Sequence, residues 1–141
     1  METKGATTLK RGREMLRLNL VALTTALAFS VAAGEALAAG DVAAGEKVYN
    51  AQCKACHSLD KGKNGVGPSL SGVVGSKAGA VAGFKYSDAM AKAGITWDDA
   101  GLAKFLKSPK DDVPGTKMLA GALKSDDDIQ NVIAFLKEKA K

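Results

Sequence analysis

Apolar residues recur at intervals of three and four along much of the chain, which is the periodicity of a helix with one buried face. The pattern is clearest near the carboxyl end, where Ile129, Val132 and Leu136 fall on one helical face. Polar residues that cap helices precede each periodic stretch. We predict helices that begin at Asp41, Ser87, Asp98 and Ser125 or Asp126, and that end near Asn50, Gly94, Pro109 and the chain terminus.

Glycine interrupts the helical pattern between Lys61 and Gly83, where seven glycines and Pro68 occur. Such a composition predicts a long loop, because glycine and proline both oppose regular structure. A second irregular segment is predicted from Asp111 to Ala122, which contains the turn dipeptide Pro114-Gly115. No stretch alternates in the manner of a strand. The fold class predicted is therefore all-α, with four to five short helices.

Residues 1–38 have the organisation of a secretory signal peptide. Five basic residues lie in positions 1–17, an uncharged apolar stretch runs from 18 to 33, and Ala36-Leu37-Ala38 provides small residues for cleavage. An uncleaved anchor helix is the alternative. The apolar stretch is shorter than the roughly 20 residues that span a bilayer, which favours cleavage after Ala38 and export to the periplasm. We predict a leader over 1–38 and a single functional domain over 39–141.

Charge and composition narrow the function of that domain. Of the 20 Lys and Arg and the 15 Asp and Glu in the chain, residues 39–141 keep 15 Lys, no Arg and 12 acidic residues. Lysine suits a hydrated docking surface better than bidentate phosphate recognition, and export argues against a nucleic-acid partner. Only 5% of the residues are aromatic, so a large prosthetic group could provide apolar bulk that the side chains lack.

The candidate chemistry lies in Cys53-Lys54-Ala55-Cys56-His57, a C-x-x-C-H motif. This spacing is the attachment signal for c-type haem. On a helix, residues i, i+3 and i+4 share one face, so Cys53, Cys56 and His57 would point at one flat group. Each thiol can form a thioether with a haem vinyl group, and the imidazole of His57 can then bind the iron. We predict one covalently attached haem c.

Other chemistries use parts of the same motif. A thioredoxin-like dithiol would lie between a strand and a helix, and no βαβ pattern is present. A zinc site would need a fourth ligand, but the chain has no further Cys or His. A structural disulfide between Cys53 and Cys56 would leave the adjacent His57 unexplained.

The sixth iron position takes a second ligand or stays open. His57 is the only histidine, and the candidates in residues 39–141 are Met90 and Met118. Met90 lies in a predicted helix, where methionine usually fills the core. Met118 lies in the irregular segment after Pro114-Gly115, and such a segment can cross the far face of a haem. We favour Met118 because of this position in the chain. A His/Met pair would fill both axial positions and raise the reduction potential.

The domain resembles class I cytochrome c, in particular mitochondrial cytochrome c and its short soluble periplasmic counterparts in bacteria. The resemblance covers nearly all of residues 40–141. It rests on the order of several separated motifs: Gly45-Glu46-Lys47-Val48-Tyr49, Cys53–His57, Gly67-Pro68-Ser69-Leu70, Gly94-Ile95-Thr96-Trp97, Pro114-Gly115-Thr116-Lys117-Met118 and Val132-Ile133-Ala134-Phe135-Leu136.

The resemblance implies roles for individual residues around the cofactor. The backbone carbonyl of Pro68 would accept a hydrogen bond from His57 and fix its orientation. Tyr86 and Trp97 would hydrogen-bond a buried haem propionate. Gly45 and Tyr49 would meet the last helix where the first helix crosses it.

The resemblance also implies a function. The protein would be a diffusible, monomeric one-electron carrier and not an enzyme, taking electrons from a cytochrome bc1-type complex or a dehydrogenase and delivering them to a terminal oxidase, a reductase or a photosynthetic reaction centre. Lys54, Lys110, Lys117 and Lys124 would surround the haem edge, dock transiently on acidic redox partners and allow weak contact with an anionic membrane surface. The alternative is a haem peroxidase or gas-binding sensor, which would need a displaceable sixth ligand.

Overall fold

The computed structural model describes residues 39–141, and the predicted leader over 1–38 lies outside the described residues. The described chain is helical, and within it the only strand-like pairing is an isolated antiparallel bridge between Lys77 and Thr96. A π-helical turn, Tyr49–Cys53, continues the first helix. The helices are α1 (Val42–Val48), α2 (Asp88–Ala91), α3 (Asp99–Lys107), α4 (Pro109–Asp112) and α5 (Asp126–Lys139).

The predicted capping residues begin the four predicted helices. Asp41 accepts a hydrogen bond from the backbone N–H of Ala44 at 2.6 Å, and Ser87 accepts one from Met90 at 3.2 Å. Asp98 and Ser125 do the same for α3 and α5. Each bond satisfies a backbone donor that has no partner inside the helix.

Two boundaries differ from the sequence prediction. Helix α2 ends at Ala91 and not at Gly94, because the chain leaves the helical conformation after Lys92 and Gly94 then turns it with a φ of +67°. The segment predicted to be irregular from Asp111 begins inside α4. Pro109 ends α3 as predicted but also starts α4, since proline fits the first position of a helix, where the missing N–H is not needed.

Helix α5 forms the centre of the fold, packing against α1 and α3. The close approach of α1 to α5 depends on Gly45, where a Cβ atom would collide with the backbone oxygen of Asn131 and lie 2.7 Å from Cβ of Phe135. The rings of Tyr49 and Phe135 pack at the same crossing, with centroids 5.3 Å apart. The predicted crossing is therefore present, with Asn131 as the nearest neighbour of Gly45.

The buried core consists mainly of residues from α3 and α5, and the ring of Trp97 packs on Phe105 with centroids 5.0 Å apart. Among residues 39–141, none of the helices is both long enough and apolar enough to span a membrane.

Candidate functional site

A cavity of about 400 Å³ opens between the glycine-rich loop, α3, α5 and the segment after α4. Its size is within the range of small-molecule and cofactor sites. Its lining is largely apolar. All the site residues predicted from the sequence lie along it: Cys53, Cys56, His57, Pro68, Tyr86, Trp97 and Met118.

The C-x-x-C-H motif lies at the end of the π-helical turn and not within a regular α-helix. The backbone N–H groups of Cys56 and His57 both donate to the carbonyl of Cys53, at 3.1 and 3.0 Å. The second of these bonds is one turn of α-helical geometry. This single turn therefore preserves the i, i+3, i+4 relationship, and it directs all three side chains to the cavity.

Both cysteines are free thiols and half-buried. Burial, with a smaller contribution from Cys56, raises the pKa of the Cys53 thiol to about 11. The neutral thiol is largely shielded from water. The two cysteines are not joined by a disulfide. Thioether formation would keep the Cys53 sulfur uncharged, which suits the apolar lining.

His57 is held from two directions. Its Nδ1 atom lies 2.8 Å from the carbonyl oxygen of Pro68, which leaves Nε2 available for a metal. Its own backbone carbonyl accepts a hydrogen bond from the hydroxyl of Tyr49 at 2.9 Å. Gly67 packs against the His57 ring, and a Cβ atom at Gly67 would lie 2.7 Å from both ring nitrogens.

Both candidate methionines line the cavity. Met90 is 8% exposed and belongs to the buried core. Met118 is half-buried, and its backbone N–H donates to Oγ1 of Thr116 at 3.2 Å. Its methyl group passes over Gly121, where a Cβ would lie 2.8 Å from it.

Tyr86 and Trp97 lie on the cavity wall with different polar environments. The hydroxyl of Tyr86 accepts a hydrogen bond from the backbone N–H of Val81 at 3.3 Å, and burial raises the pKa of this phenol. The indole N–H of Trp97 donates to no residue between 39 and 141. Both side chains keep donor capacity for a polar group in the cavity.

Polar contacts that were not predicted from the sequence hold the glycine-rich loop in place. The side chain of Asn64 donates to the carbonyl of Ala82 at 3.2 Å and accepts from the N–H of Ser69 at 2.9 Å. Ser69 is 2% exposed, and its hydroxyl donates to the carbonyl of Asp60 at 2.7 Å. Asn64 within the glycine-rich loop could have indicated these contacts, since an asparagine side chain readily forms hydrogen bonds with nearby backbone groups.

The four lysines predicted to surround the cavity are all exposed, but Lys117 is the only one of them that lines it. Lys77, which was not predicted, also lines it. None of the four predicted lysines forms an ion pair within residues 39–141. The five lysines that do are Lys63, Lys104, Lys107, Lys137 and Lys139.

The residues fit a covalently bound haem. Two free thiols, one available imidazole nitrogen and a methionine share one largely apolar cavity. Within the described chain, no group of three His, Cys, Asp or Glu side chains is placed to hold a metal ion.

Comparison with known proteins identifies the family. The family model for cytochrome c matches residues 42–139. The chain belongs to the cytochrome c family. It is similar to cytochrome c-554 of Methylosinus trichosporium, with 46% identity over 125 residues, which cover 88% of this chain and 94% of that protein. Cytochrome c2 of Rhodomicrobium vannielii is 49% identical over 123 residues, 86% of this chain and 95% of its own.

A solved structure agrees with these relatives. Cytochrome cH from Methylobacterium extorquens superposes with a TM-score of 0.66 and 50% identity, covering 71% of this chain and all of that one. The comparisons confirm a class I cytochrome c with an all-α fold. They also confirm haem c as the covalent cofactor and electron transport as the family's function, in which cytochromes c are carriers and generally not enzymes.

Proposed function

We propose that this cytochrome c is a periplasmic one-electron carrier whose single haem has His57 and Met118 as axial ligands. The observation that carries the proposal is the shared cavity, into which Cys53, Cys56, His57 and Met118 all face. Haem iron with both axial positions filled exchanges one electron with little rearrangement and has no open position for a substrate.

The site residues predicted from the sequence each have a part in this function. Cys53 and Cys56 attach the cofactor, and the bond from His57 to the carbonyl of Pro68 keeps the ring in one orientation and one tautomer. The hydroxyl of Tyr86 and the indole of Trp97 donate hydrogen bonds to a haem propionate. The free donor of Trp97 supports this role.

Met118 is preferred to Met90 as the sixth ligand because Met118 lies outside the helices and Met90 lies within one. Met90 is fixed within α2 and is part of the core. Met118 belongs to a non-helical segment, where the thioether can turn without breaking helix packing. The bond from its N–H to Thr116 then limits how far that segment moves.

Electrons would leave at the mouth of the cavity. Val66 and Leu119 line the cavity and are nevertheless 81% and 74% exposed, so the opening lies beside them. A lysine surface of Lys54, Lys110, Lys117 and Lys124 would steer acidic redox partners there, in transient contacts. The electron donor would be a cytochrome bc1-type complex or a dehydrogenase. The acceptor would be a terminal oxidase, a reductase or a photosynthetic reaction centre.

Export completes the proposal. Residues 1–38 would direct the chain to the periplasm and be removed after Ala38, leaving a monomeric carrier of residues 39–141. Mass spectrometry of the purified protein tests this directly. It should show the mass of residues 39–141 plus one haem, and retention of the leader would contradict cleavage.

Absorption spectra of the purified holoprotein test the axial ligation. We expect the oxidised protein to show the charge-transfer band of methionine-ligated ferric haem, and the reduced protein to bind no carbon monoxide. Met118→Ala should abolish the band, whereas Met90→Leu, which conserves volume in the core, should keep it. Rapid carbon monoxide binding by the parent protein would instead favour a gas-binding or peroxidase function.

A further inference from the structure

One ion pair differs from the others in the exposure of its two side chains. Nζ of Lys104 in α3 is 2.5 Å from a carboxylate oxygen of Asp112 in α4. The Asp112 side chain is only 4% exposed, whereas the lysine side chain is 76% exposed. In the other four ion pairs of residues 39–141, every side chain is at least 47% exposed.

Because Asp112 is buried and Lys104 is exposed, loss of the ion pair would cost more free energy at Asp112 than at Lys104. A buried carboxylate without a cation is costly, whereas an exposed ammonium that loses its partner returns to water. Asp112 can therefore stay in its place only while Lys104 reaches it. Exposed pairs such as Lys107–Asp126 carry no comparable constraint, since either partner can be solvated.

The position of Asp112 links this pair to the cavity. Asp112 is the last residue of α4, and the next residue, Val113, is 3% exposed. The N–H of Thr116 donates to the carbonyl of Val113 at 3.0 Å, and Oγ1 of Thr116 accepts from the N–H of Met118 at 3.2 Å. A short series of bonds and buried side chains thus connects Asp112 to Met118.

The same segment is also attached to α3 on its far side. The N–H of Leu123 donates to the carbonyl of Leu106 at 2.8 Å, and Leu123 is 6% exposed. Between Asp112 and Leu123, Met118 lies on a span of chain with both ends fixed to the same helix. The Lys104–Asp112 pair is the charged attachment at its first end.

We propose that the Lys104–Asp112 ion pair positions the Met118 segment against α3 and so determines how firmly Met118 competes for the iron. This inference rests on the proposed ligation by Met118. Lys104 and Asp112 do not line the cavity, and they act through the backbone between them and Met118.

Imidazole titration of the oxidised holoprotein tests the proposal, because imidazole competes with methionine for the sixth position. Lys104→Met should raise the imidazole association constant roughly tenfold, since the unpaired carboxylate displaces α4. Asp112→Asn, which is isosteric and neutral, should raise it less. Lys104→Arg should restore a value near that of the parent protein.

The matched controls are Lys107→Met and Asp126→Asn, which break an exposed ion pair that also joins α3 to the chain beyond it. Both should bind imidazole as the parent does. Equal association constants in the parent, Lys104→Met and Asp112→Asn would overturn the proposal, as would an equal rise in the control pair. A larger effect of Asp112→Asn than of Lys104→Met would also overturn it.

Failure of the Met118 ligation and failure of the positioning role give different results. A parent protein without the methionine charge-transfer band would refute Met118 ligation itself. A parent protein with the band, but with imidazole binding indifferent to Lys104 and Asp112, would refute only the positioning role. Denaturant unfolding of each variant, measured by the far-ultraviolet signal, separates loosening of this segment from loss of the whole fold.

Discussion

Nδ1 of His57 lies 2.8 Å from the carbonyl oxygen of Pro68, and Gly67, the residue between that proline and the exposed Val66, packs against the face of the same ring. One short stretch of loop therefore both bonds the ring and restricts its rotation. The available nitrogen, Nε2, is directed by backbone atoms and not by a mobile side chain. Such an arrangement would limit reorganisation around a haem iron bound by Nε2 when its charge changes.

Gly67→Ala should disturb this arrangement. The added methyl group would collide with the His57 ring, so the ring would have to shift and the bond to Pro68 would lengthen or break. We expect a loss of about 1–3 kcal/mol in the free energy of unfolding and an altered haem spectrum. Gly65→Ala is the matched control, because its nearest contact is the Cys56 carbonyl oxygen at 3.2 Å and not the ring. An unchanged Gly67→Ala spectrum would contradict the prediction.

Gly45→Ala tests the crossing of α1 and α5. In an exposed helix this change stabilises by up to about 1 kcal/mol, because alanine has the higher helix propensity. Here the methyl group would collide with the backbone of Asn131, so we expect destabilisation by about 1–3 kcal/mol. Denaturant unfolding of the holoprotein measures the sign directly. Stabilisation would show that the helices separate at little cost.

Removal of the haem should unfold the domain. Without the haem, the largely apolar lining of this cavity of about 400 Å³ would be left in contact with water, and a small domain has only about 5–15 kcal/mol of stability to lose. Cys53→Ala with Cys56→Ala should therefore give a chain with little helical signal. A cooperative thermal transition in that haem-free chain would contradict this expectation.

Ionisation of the Tyr49 hydroxyl should lower the free energy of unfolding at alkaline pH. Burial, with smaller contributions from Cys53 and Asp60, raises the pKa of Tyr49 above its ordinary value of 10.0. The folded protein therefore keeps this proton at a pH where the unfolded chain loses it. The free energy of unfolding should be constant below pH 10.0 as far as Tyr49 is concerned, and should fall as pH rises through the folded-state pKa.

Tyr49→Phe provides the measurement. The variant should lose about 1 kcal/mol at neutral pH, because the bond to the His57 carbonyl is absent, and should show a shallower alkaline decline than the parent protein. Tyr86→Phe should also make the alkaline decline shallower, because burial raises the pKa of that phenol too. An alkaline decline in Tyr49→Phe as steep as that of the parent would refute the assignment.

Charge reversal tests the lysine surface. Lys110→Glu and Lys117→Glu should slow bimolecular electron transfer to an acidic redox partner severalfold at low salt. The difference should shrink as the Debye length falls to about 10 Å or less. Lys92→Glu is the control for the change in net charge, because Lys92 is exposed and is not one of the four lysines of this surface. Rates that do not depend on salt would refute docking by this surface without affecting the function of electron transport.

The sequence alone determined the parts of the protein that depend on close neighbours in the chain. Helix caps act over three residues, and the C-x-x-C-H motif acts over five, so both could be assigned without coordinates. The order of motifs also identified the family, the all-α fold and the covalent haem, which the comparisons confirm. The ends of α2 and the presence of α4 were harder to predict, because short helices depend on what their flanking residues pack against.

The tertiary structure decided which residues distant in the chain meet, beyond the few pairs that the resemblance implied. Nothing near Gly45 in the sequence indicates that it touches Asn131, and nothing near Asp112 indicates that its carboxylate is buried while Lys104 stays exposed. The placement of Lys77 on the cavity wall follows from the path of the glycine-rich loop. Contacts of this kind arise when separate elements pack together, and residue spacing cannot report them, because the residues that meet lie far apart in the chain.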